Sequence, residues 1–149
     1  MATTTGSINV YDKFKRDMAN GTIDIDGDTF IMGLSTSTYS PADTHEVLAS
    51  ITNEVSGNGY ARQTLASVTW TEPAAGTWMF DCDNPVFTAS GGSIVAHYWW
   101  IFDDTPTSPA DPLFAYGFLD DSPADVTTTD GNTLTVTVHA NGLFRLAGG

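Results

Sequence analysis

Residues 93–102 read SIVAHYWWIF, and this stretch decides the fold class. Alternate residues of a strand face opposite sides of a sheet. One side here carries Ile94, Ala96, Tyr98, Trp100 and Phe102, and the other carries Val95, Trp99 and Ile101. A strand that is apolar on both sides is covered on both sides. We therefore expect residues 93–102 to form one central strand.

Other strand candidates lie on both sides of this stretch, separated by Gly, Pro, Asn and Asp. They span residues 30–34, 60–70, 77–81, 113–119, 133–139 and 142–146. Ile23 and Ile25 alternate with aspartates, which also indicates a strand, with a turn at Asp26-Gly27. The sequences 130–132 (DGN) and 141–142 (NG) predict hairpin turns for the last strands.

Two short helices are predicted in the first third of the chain. The first covers about residues 10–20, because Tyr11, Phe14 and Met18 line one face and Gly21 follows where helices end. The second begins at Ser40-Pro41 and runs through Ile51. Serine is a favourable N-cap residue, and proline is favourable at the first helical position. The expected fold is mainly β, a β-sandwich or β-barrel-like arrangement of antiparallel sheets, with these two helices.

The length of 149 residues predicts a single domain with a substantial core. We place a β-rich domain at residues 8–149 and a flexible, polar N-terminal arm at residues 1–7. Cys82 is the only cysteine, which excludes an intramolecular disulfide. No apolar run approaches the roughly 18–20 residues of a membrane span.

The charge balance excludes several classes of partner. Five basic and 18 acidic residues give a net charge of −13. A nucleic-acid-binding protein needs a basic stripe to neutralise phosphates, and an anionic membrane surface also attracts basic segments. We therefore expect neither nucleic acid nor membrane among the partners.

Sequence motifs of known chemistry are incomplete in this chain. His45-Glu46 lacks the second histidine of a zinc protease motif, since Ala49 occupies its position. The acidic run 24–28 misplaces the glycine of a calcium loop, and Ser93 lacks the glycine that a nucleophile elbow requires. We expect no catalytic residue, cofactor or dedicated metal site. Weak divalent-ion binding by paired aspartates remains open, at positions 81 and 83, 103 and 104, and 120 and 121.

Several segments occur in a characteristic order along the whole chain. They are 11–15 (YDKFK), 20–24 (NGTID), 30–39 (FIMGLSTSTY), 43–46 (DTHE), 53–60 (NEVSGNGY), 101–105 (IFDDT) and 142–144 (GLF). In order and spacing the chain resembles a family of small virion proteins from tailed bacteriophages. Each segment is mostly turn chemistry, so the resemblance rests on their order and spacing.

The resemblance implies a non-enzymatic capsid decoration, or cement, protein. Such a protein is made in the host cytoplasm and binds the major capsid protein on the outer capsid surface of the virion. It also implies a symmetric oligomer, for which we expect a homotrimer. The alternatives are a tail or head-fibre component, or a host-glycan-binding module in which Trp70, Trp78, Trp99 or Trp100 forms an exposed platform.

Candidate contact residues follow from their placement along the chain. Thr3, Thr4 and Thr5 lie in the N-terminal arm, which could become ordered against a capsid or a neighbouring copy. Lys13, Lys15 and Arg16 are the only concentrated positive charge and could contact acidic capsid loops.

Overall fold

The chain folds mainly into short strands, and the computed structural model describes residues 2–3 and 8–148. In chain order within these residues, the strands and the helix are β1 (Ala2–Thr3), β2 (Asn9–Val10), α1 (Asp12–Ala19), β3 (Phe30–Ser35), β4 (Gln63–Thr64), β5 (Thr69–Ala74), β6 (Thr77–Asp81), β7 (Val86–Thr88), β8 (Ile94–Ala96), β9 (Tyr98–Asp103), β10 (Leu113–Phe118), β11 (Val126–Thr128), β12 (Thr133–Thr137) and β13 (Phe144–Ala147). A single turn of 3-10 helix spans Leu48–Ser50.

The strands form four sheets. The largest has the order β2-β10-β9-β3-β4, and its pairs are antiparallel. A three-stranded antiparallel sheet has the order β13-β6-β5. A third sheet has the order β1-β12-β7, with β1 parallel to β12, and β8 pairs with β11. The predicted mainly-β class with antiparallel sheets and a short helix is confirmed.

The stretch 93–102 forms two strands, so the prediction of one continuous strand is wrong. The break is at His97, whose N–H donates to the Ser35 carbonyl and whose carbonyl accepts from the Leu119 N–H. One extra residue at the break changes which side each later residue faces. Ile94 and Ala96 therefore pack in the same cluster as Trp99 and Ile101, against the simple alternation.

The second half of this stretch is central and covered on both sides, as predicted. β9 lies between β3 and β10, and the residues from Trp99 to Asp103 are all buried. Trp99 and Ile101 belong to the main core cluster, whereas Trp100 and Phe102 belong to a second cluster on the other side. The two adjacent tryptophans therefore each fill a different part of the core, one on each side of β9.

Each of the two tryptophans lies over a glycine of a neighbouring strand. Gly33 of β3 is the register partner of Trp100, and Gly117 of β10 is the partner of Trp99. A Cβ atom at either glycine would overlap the indole ring beside it. The missing side chains therefore create the space that lets two large rings pack on opposite sides of one strand.

α1 begins and ends close to the predicted positions. Gly21 adopts a φ of +78°, the left-handed conformation that ends helices. Phe14 of α1 stacks on Phe114 with ring centroids 4.2 Å apart, which fixes the helix against the largest sheet. The first predicted helix is confirmed.

The second predicted helix is wrong except for the 3-10 turn at Leu48–Ser50. The backbone of residues 46–48 is engaged with another part of the chain. The Leu113 N–H donates to the Glu46 carbonyl, and the Leu48 N–H donates to the Asp111 carbonyl. These sheet-like hydrogen bonds hold the segment extended, and a helix would have to break them.

Two further local predictions are corrected. Residues 23–25 do not form a strand, because a turn begins at Asp24, whose carbonyl accepts from the N–H groups of Gly27 and Asp28. The turns at Gly131 and Gly142 have positive φ values but do not close hairpins between the last strands. β12 pairs with β7 and β13 pairs with β6, so the strands beside these turns belong to different sheets.

The remaining strand predictions vary in accuracy. Residues 77–81 match β6, and 30–34, 113–119, 133–139 and 142–146 match β3, β10, β12 and β13 within a few residues. The range 60–70 is mostly irregular and contains β4 and the start of β5. Within the described residues, no helix is long and apolar enough to cross a membrane.

Candidate functional site

The predicted contact residues of the N-terminal arm are only partly described. Thr4 and Thr5 lie outside the described residues. Thr3 is part of β1, where its backbone lies opposite Thr137 of β12. The contact role of these three residues stays a prediction.

The three basic residues of α1 all form ion pairs with acidic residues of their own chain. Lys13 Nζ lies 2.8 Å from Glu46 Oε1, and Lys15 Nζ lies 3.9 Å from Asp12 Oδ1. The Arg16 guanidinium binds the buried carboxylate of Asp17 at 2.5 Å. The helix surface therefore carries balanced charge rather than a free positive patch, and its contact with a capsid stays a prediction.

The other two arginines have different surroundings. Arg62 binds Glu54 through two hydrogen bonds and lies over Trp100 and Phe102, with its guanidinium carbon 5.4 and 5.6 Å from the ring centroids. The Glu54 hydrogen bond raises the pKa of Arg62, so this charge is permanent. Arg145 binds the Asn141 carbonyl and side chain, and no carboxylate of the described residues forms an ion pair with it.

An exposed apolar surface lies on the sheet β5-β6-β13. Alternation and register place five large apolar side chains on one side of this sheet: Trp70, Trp78, Phe80, Phe144 and Leu146. Phe80 is fully buried in the main core, Trp70 and Phe144 are partly buried, and Trp78 and Leu146 are exposed. The apolar side of the sheet thus begins in the core and continues outward into solvent.

Ring stacking holds this surface in a fixed shape. Trp70 stacks on Phe144 with centroids 6.1 Å apart and ring planes 11° apart, and on Trp78 with centroids 5.7 Å apart and planes 25° apart. Trp78 is 40% exposed, and its register partner Leu146 is 46% exposed. We call Trp70, Trp78, Phe144 and Leu146 the outer apolar face.

The sequence alone pointed to four tryptophans without distinguishing among them. Trp99 and Trp100 are buried, whereas Trp70 and Trp78 lie in the outer apolar face. Leu146 was missed as a functional candidate, because the sequence indicated only that residues 142–146 form a strand. The exposure of one end of this sheet depends on which elements pack over it, and no local pattern reports that.

Two surface cavities within the described residues contain few groups suited to catalysis. A cavity of about 330 Å³ is lined by Thr127, Thr128, Thr129, Asn132 and Thr133. Another of about 320 Å³ lies between residues 63–66 and 83–86 and contains one carboxylate, Asp83. Among the described residues, no group of three or more His, Cys, Asp or Glu side chains is placed to hold a metal ion.

Ser37, His97 and Asp125 lie together but not in the order of a hydrolytic triad. His97 Nδ1 lies 2.7 Å from Asp125 Oδ1, and the Ser37 hydroxyl donates to Asp125 Oδ2 at 3.3 Å. A nucleophilic serine must bond to the histidine, which removes its proton. Here the aspartate binds both partners, so the arrangement ties the loop containing Asp125 to the body of the protein.

Cys82 and Asp103 are two of the buried ionisable groups whose pKa values are raised. Burial, together with Asp81 and Asp83, raises the pKa of the Cys82 thiol to about 12, so the thiol is neutral at pH 7 and is a poor nucleophile. Burial and the neighbouring Asp28 raise the pKa of Asp103 to about 7. Neither residue lines the two cavities described above.

Comparisons with known proteins give no relative. No family model matches the sequence, no curated protein matches it, and no solved structure matches the fold.

Proposed function

We propose that this protein is a non-enzymatic structural protein of a bacteriophage virion, a capsid decoration protein that binds the outer surface of the major capsid protein lattice and stabilises the head. The observation that carries the proposal is the outer apolar face. A rigid, exposed pair of large apolar side chains on the sheet β5-β6-β13 suits contact with another protein. The order of segments that resembles phage virion proteins supports the identity of that partner.

The charge distribution supports docking through a restricted surface. A net charge of −13 disfavours non-specific aggregation of the protein and its binding to the packaged genome. The basic residues of α1 are neutralised by their own chain, so they add little attraction for a partner. Apolar contact at the outer apolar face can hold the protein on a capsid without requiring opposite charge.

The size of the face supports an oligomer on the particle. Side chains that are 40% and 46% exposed present only about 200 Å² of apolar surface, whereas a stable interface buries about 800 Å² per partner. One face therefore supplies a weak contact and is too small to hold a dimer by itself. Several weak contacts on one oligomer act together, which is why a homotrimer across capsid subunits fits this surface.

Binding to capsids tests the function. We expect the purified protein to bind capsids of a phage whose genome encodes this sequence, and Trp78→Ala to weaken that binding about 30-fold, the effect of losing one central contact residue. Leu146→Ser should weaken binding in the same direction. Co-sedimentation with capsids over a range of protein concentrations measures both effects, and analytical ultracentrifugation of the free protein tests the homotrimer.

A matched control is available in the same chain. Val95 is 41% exposed but lies on β8, outside the outer apolar face, so Val95→Ser should leave capsid binding unchanged. Equal binding by the Trp78→Ala and wild-type proteins would show that the face is not the docking surface. Absence of the protein from purified particles would refute the decoration function itself.

A second candidate function, host-glycan binding, is favoured by the geometry of Trp78. One side of its ring stacks on Trp70, and the exposed part of the ring could stack on a sugar. This function predicts that the Trp78→Ala variant loses binding to host surface polysaccharide and keeps its place on the capsid. The decoration function predicts the opposite pattern.

A further inference from the structure

The strongest unexplained feature of the core is a buried carboxyl group at the end of the central strand. Asp103 is fully buried, and its Oδ1 accepts a hydrogen bond from the Thr105 N–H at 3.0 Å. Its Oδ2 is buried and has no hydrogen-bond donor among the described residues. A buried ionised oxygen without a donor is costly. This oxygen therefore needs either a proton or another positive charge.

A second carboxyl group interacts with the Asp103 carboxyl. Asp28 lies within hydrogen-bond reach of Asp103, and Asp28 Oδ2 accepts from the Asp24 N–H at 2.7 Å. When both carboxyls are ionised, neither can donate and they repel each other. A single proton placed between them supplies the missing donor and removes one of the two negative charges.

The surroundings supply further acids, and the basic residue that interacts with one of them, Arg62 with Asp111, is paired with Glu54. The Asp24 N–H donates to the Asp28 carboxylate, and Asp104 follows Asp103 in the sequence. Asp111 precedes Pro112, whose carbonyl accepts from the Asp103 N–H. β3, which pairs with this end of β9, contains no ionisable side chain. Within the described residues, the ion pairs of Lys and Arg involve none of these five acids.

The loop that carries Asp28 is attached to the same end of β9 at several points. The Asp104 N–H donates to the Thr29 carbonyl, and the Thr29 N–H donates to the Thr105 hydroxyl. The loop also places Ile23 and Ile25 in the main core. Repulsion between Asp28 and Asp103 would therefore push away a loop whose side chains form part of the main core.

We propose that Asp28 and Asp103 share one proton and act as a pH-sensitive latch that holds the loop of residues 22–29 against the end of β9. The latch is closed while the proton is present and loosens when the second carboxyl ionises. This inference is independent of the capsid proposal, because it concerns the stability of the free subunit.

The direction of the pH effect follows from the raised pKa. A group whose pKa is higher in the folded state than in the unfolded chain stabilises the fold fully only below its unfolded value, near pH 4. The stabilisation is lost as pH rises from about 4 through about 7. Above that range both carboxyls are charged and the latch is open.

Direct titration tests the latch. With the aspartate carboxyl carbons labelled with ¹³C, we expect NMR to show one carboxyl titrating near pH 7 in the full-length protein. That transition should be absent in Asp103→Asn and should move to lower pH in Asp28→Asn, which removes the repulsion and keeps the burial. Asp104→Asn, an exposed neighbour of Asp103, should leave it unchanged.

Thermal unfolding gives a second readout. Between pH 5 and pH 8 we expect the wild-type Tm to fall about 5–10 °C more than the Tm of Asp103→Asn, given roughly 2–4 °C per kcal/mol for a domain of this size. The protection factors of the Asp24 and Asp28 amides, which are exchange rates corrected for the intrinsic increase with pH, should fall over the same range. Titration of every aspartate below pH 5 would overturn the proposal. So would calcium or magnesium removing the transition and raising the Tm at pH 8, since the pair would then hold a metal ion.

Discussion

Gly33→Val is expected to destabilise the protein by about 3 kcal/mol or more, the upper range for overpacking a filled core. Gly33 pairs with Trp100 in register, and a Cβ at this position would overlap the indole ring. Trp100 is fully buried and its Nε1 donates to the Ser35 hydroxyl at 2.9 Å, so the ring cannot move without breaking that hydrogen bond. Urea unfolding followed by circular dichroism measures the change.

The control for this substitution is Gly148→Val. A Cβ at Gly148 meets no atom within 4 Å, so the same added side chain should change the free energy of unfolding very little. In the Gly33 variant we expect the Tm to fall by about 6–12 °C. A Tm within about 2 °C of wild type would contradict the close packing of Gly33 against Trp100, because it would require free space between β3 and β9.

Trp100→Ala is expected to cost about 3–5 kcal/mol, the typical cost of removing a large buried aromatic side chain. The substitution leaves a cavity between Gly33 and Arg62 and removes the donor that binds Ser35. Trp100 is also one of the four buried residues of the second core cluster, with Tyr11, Phe102 and Leu113. That cluster has few other members to close the space.

Trp78→Ala is the matched control, because it removes the same side chain from the exposed end of a sheet. With 40% of Trp78 already in solvent, its removal exposes less new surface and leaves no enclosed cavity, so we expect a clearly smaller destabilisation than in the Trp100 variant. Differential scanning calorimetry of both variants checks the comparison. Equal losses of stability would contradict the assignment of Trp100 to the core and of Trp78 to the outer apolar face.

The buried and the exposed tryptophans contribute differently to the stability of the domain. Trp99 and Trp100 stabilise the domain on opposite sides of β9, and each requires a glycine beside it. Trp78 contributes less to the core and lies in the face that we propose as the docking surface. A Trp78→Ala protein that folds normally is therefore a clean reagent for the capsid experiment.

Part of the fold was predictable because local chemistry determines it. The spacing of Tyr11, Phe14 and Met18 predicts a helix that Gly21 ends, and the helix and its end are observed. Tyr11 itself precedes the helix and packs in the second core cluster, apart from Phe14. The double-sided apolar pattern of Trp99 to Phe102 correctly predicts a central strand. The break at His97 was not predictable, because it depends on hydrogen bonds to Ser35 and Leu119 from distant strands.

Most of the incorrect predictions share one cause, which is competition from distant partners. The exception is the strand predicted at residues 23–25, where local hydrogen bonds to the Asp24 carbonyl form a turn instead. Ser40-Pro41 is a favourable helix start, yet residues 46–48 bind the segment 111–113 instead. The residues at Gly142 favour a hairpin turn, yet β13 pairs with β6 rather than with β12. Turn residues determine where the chain reverses, but the apolar surface available for burial decides which strands pair.

The amino-acid sequence by itself determined the mainly-β class, the first helix, the positions of the turns and a strongly acidic surface. Each of these depends on the conformation or charge of neighbouring residues. Only the tertiary structure decided that Trp78 and Leu146 are exposed while Trp99 and Trp100 are buried, and that Asp28 meets Asp103. Burial and the pairing of distant side chains depend on which elements pack together, and no short stretch of sequence contains that information.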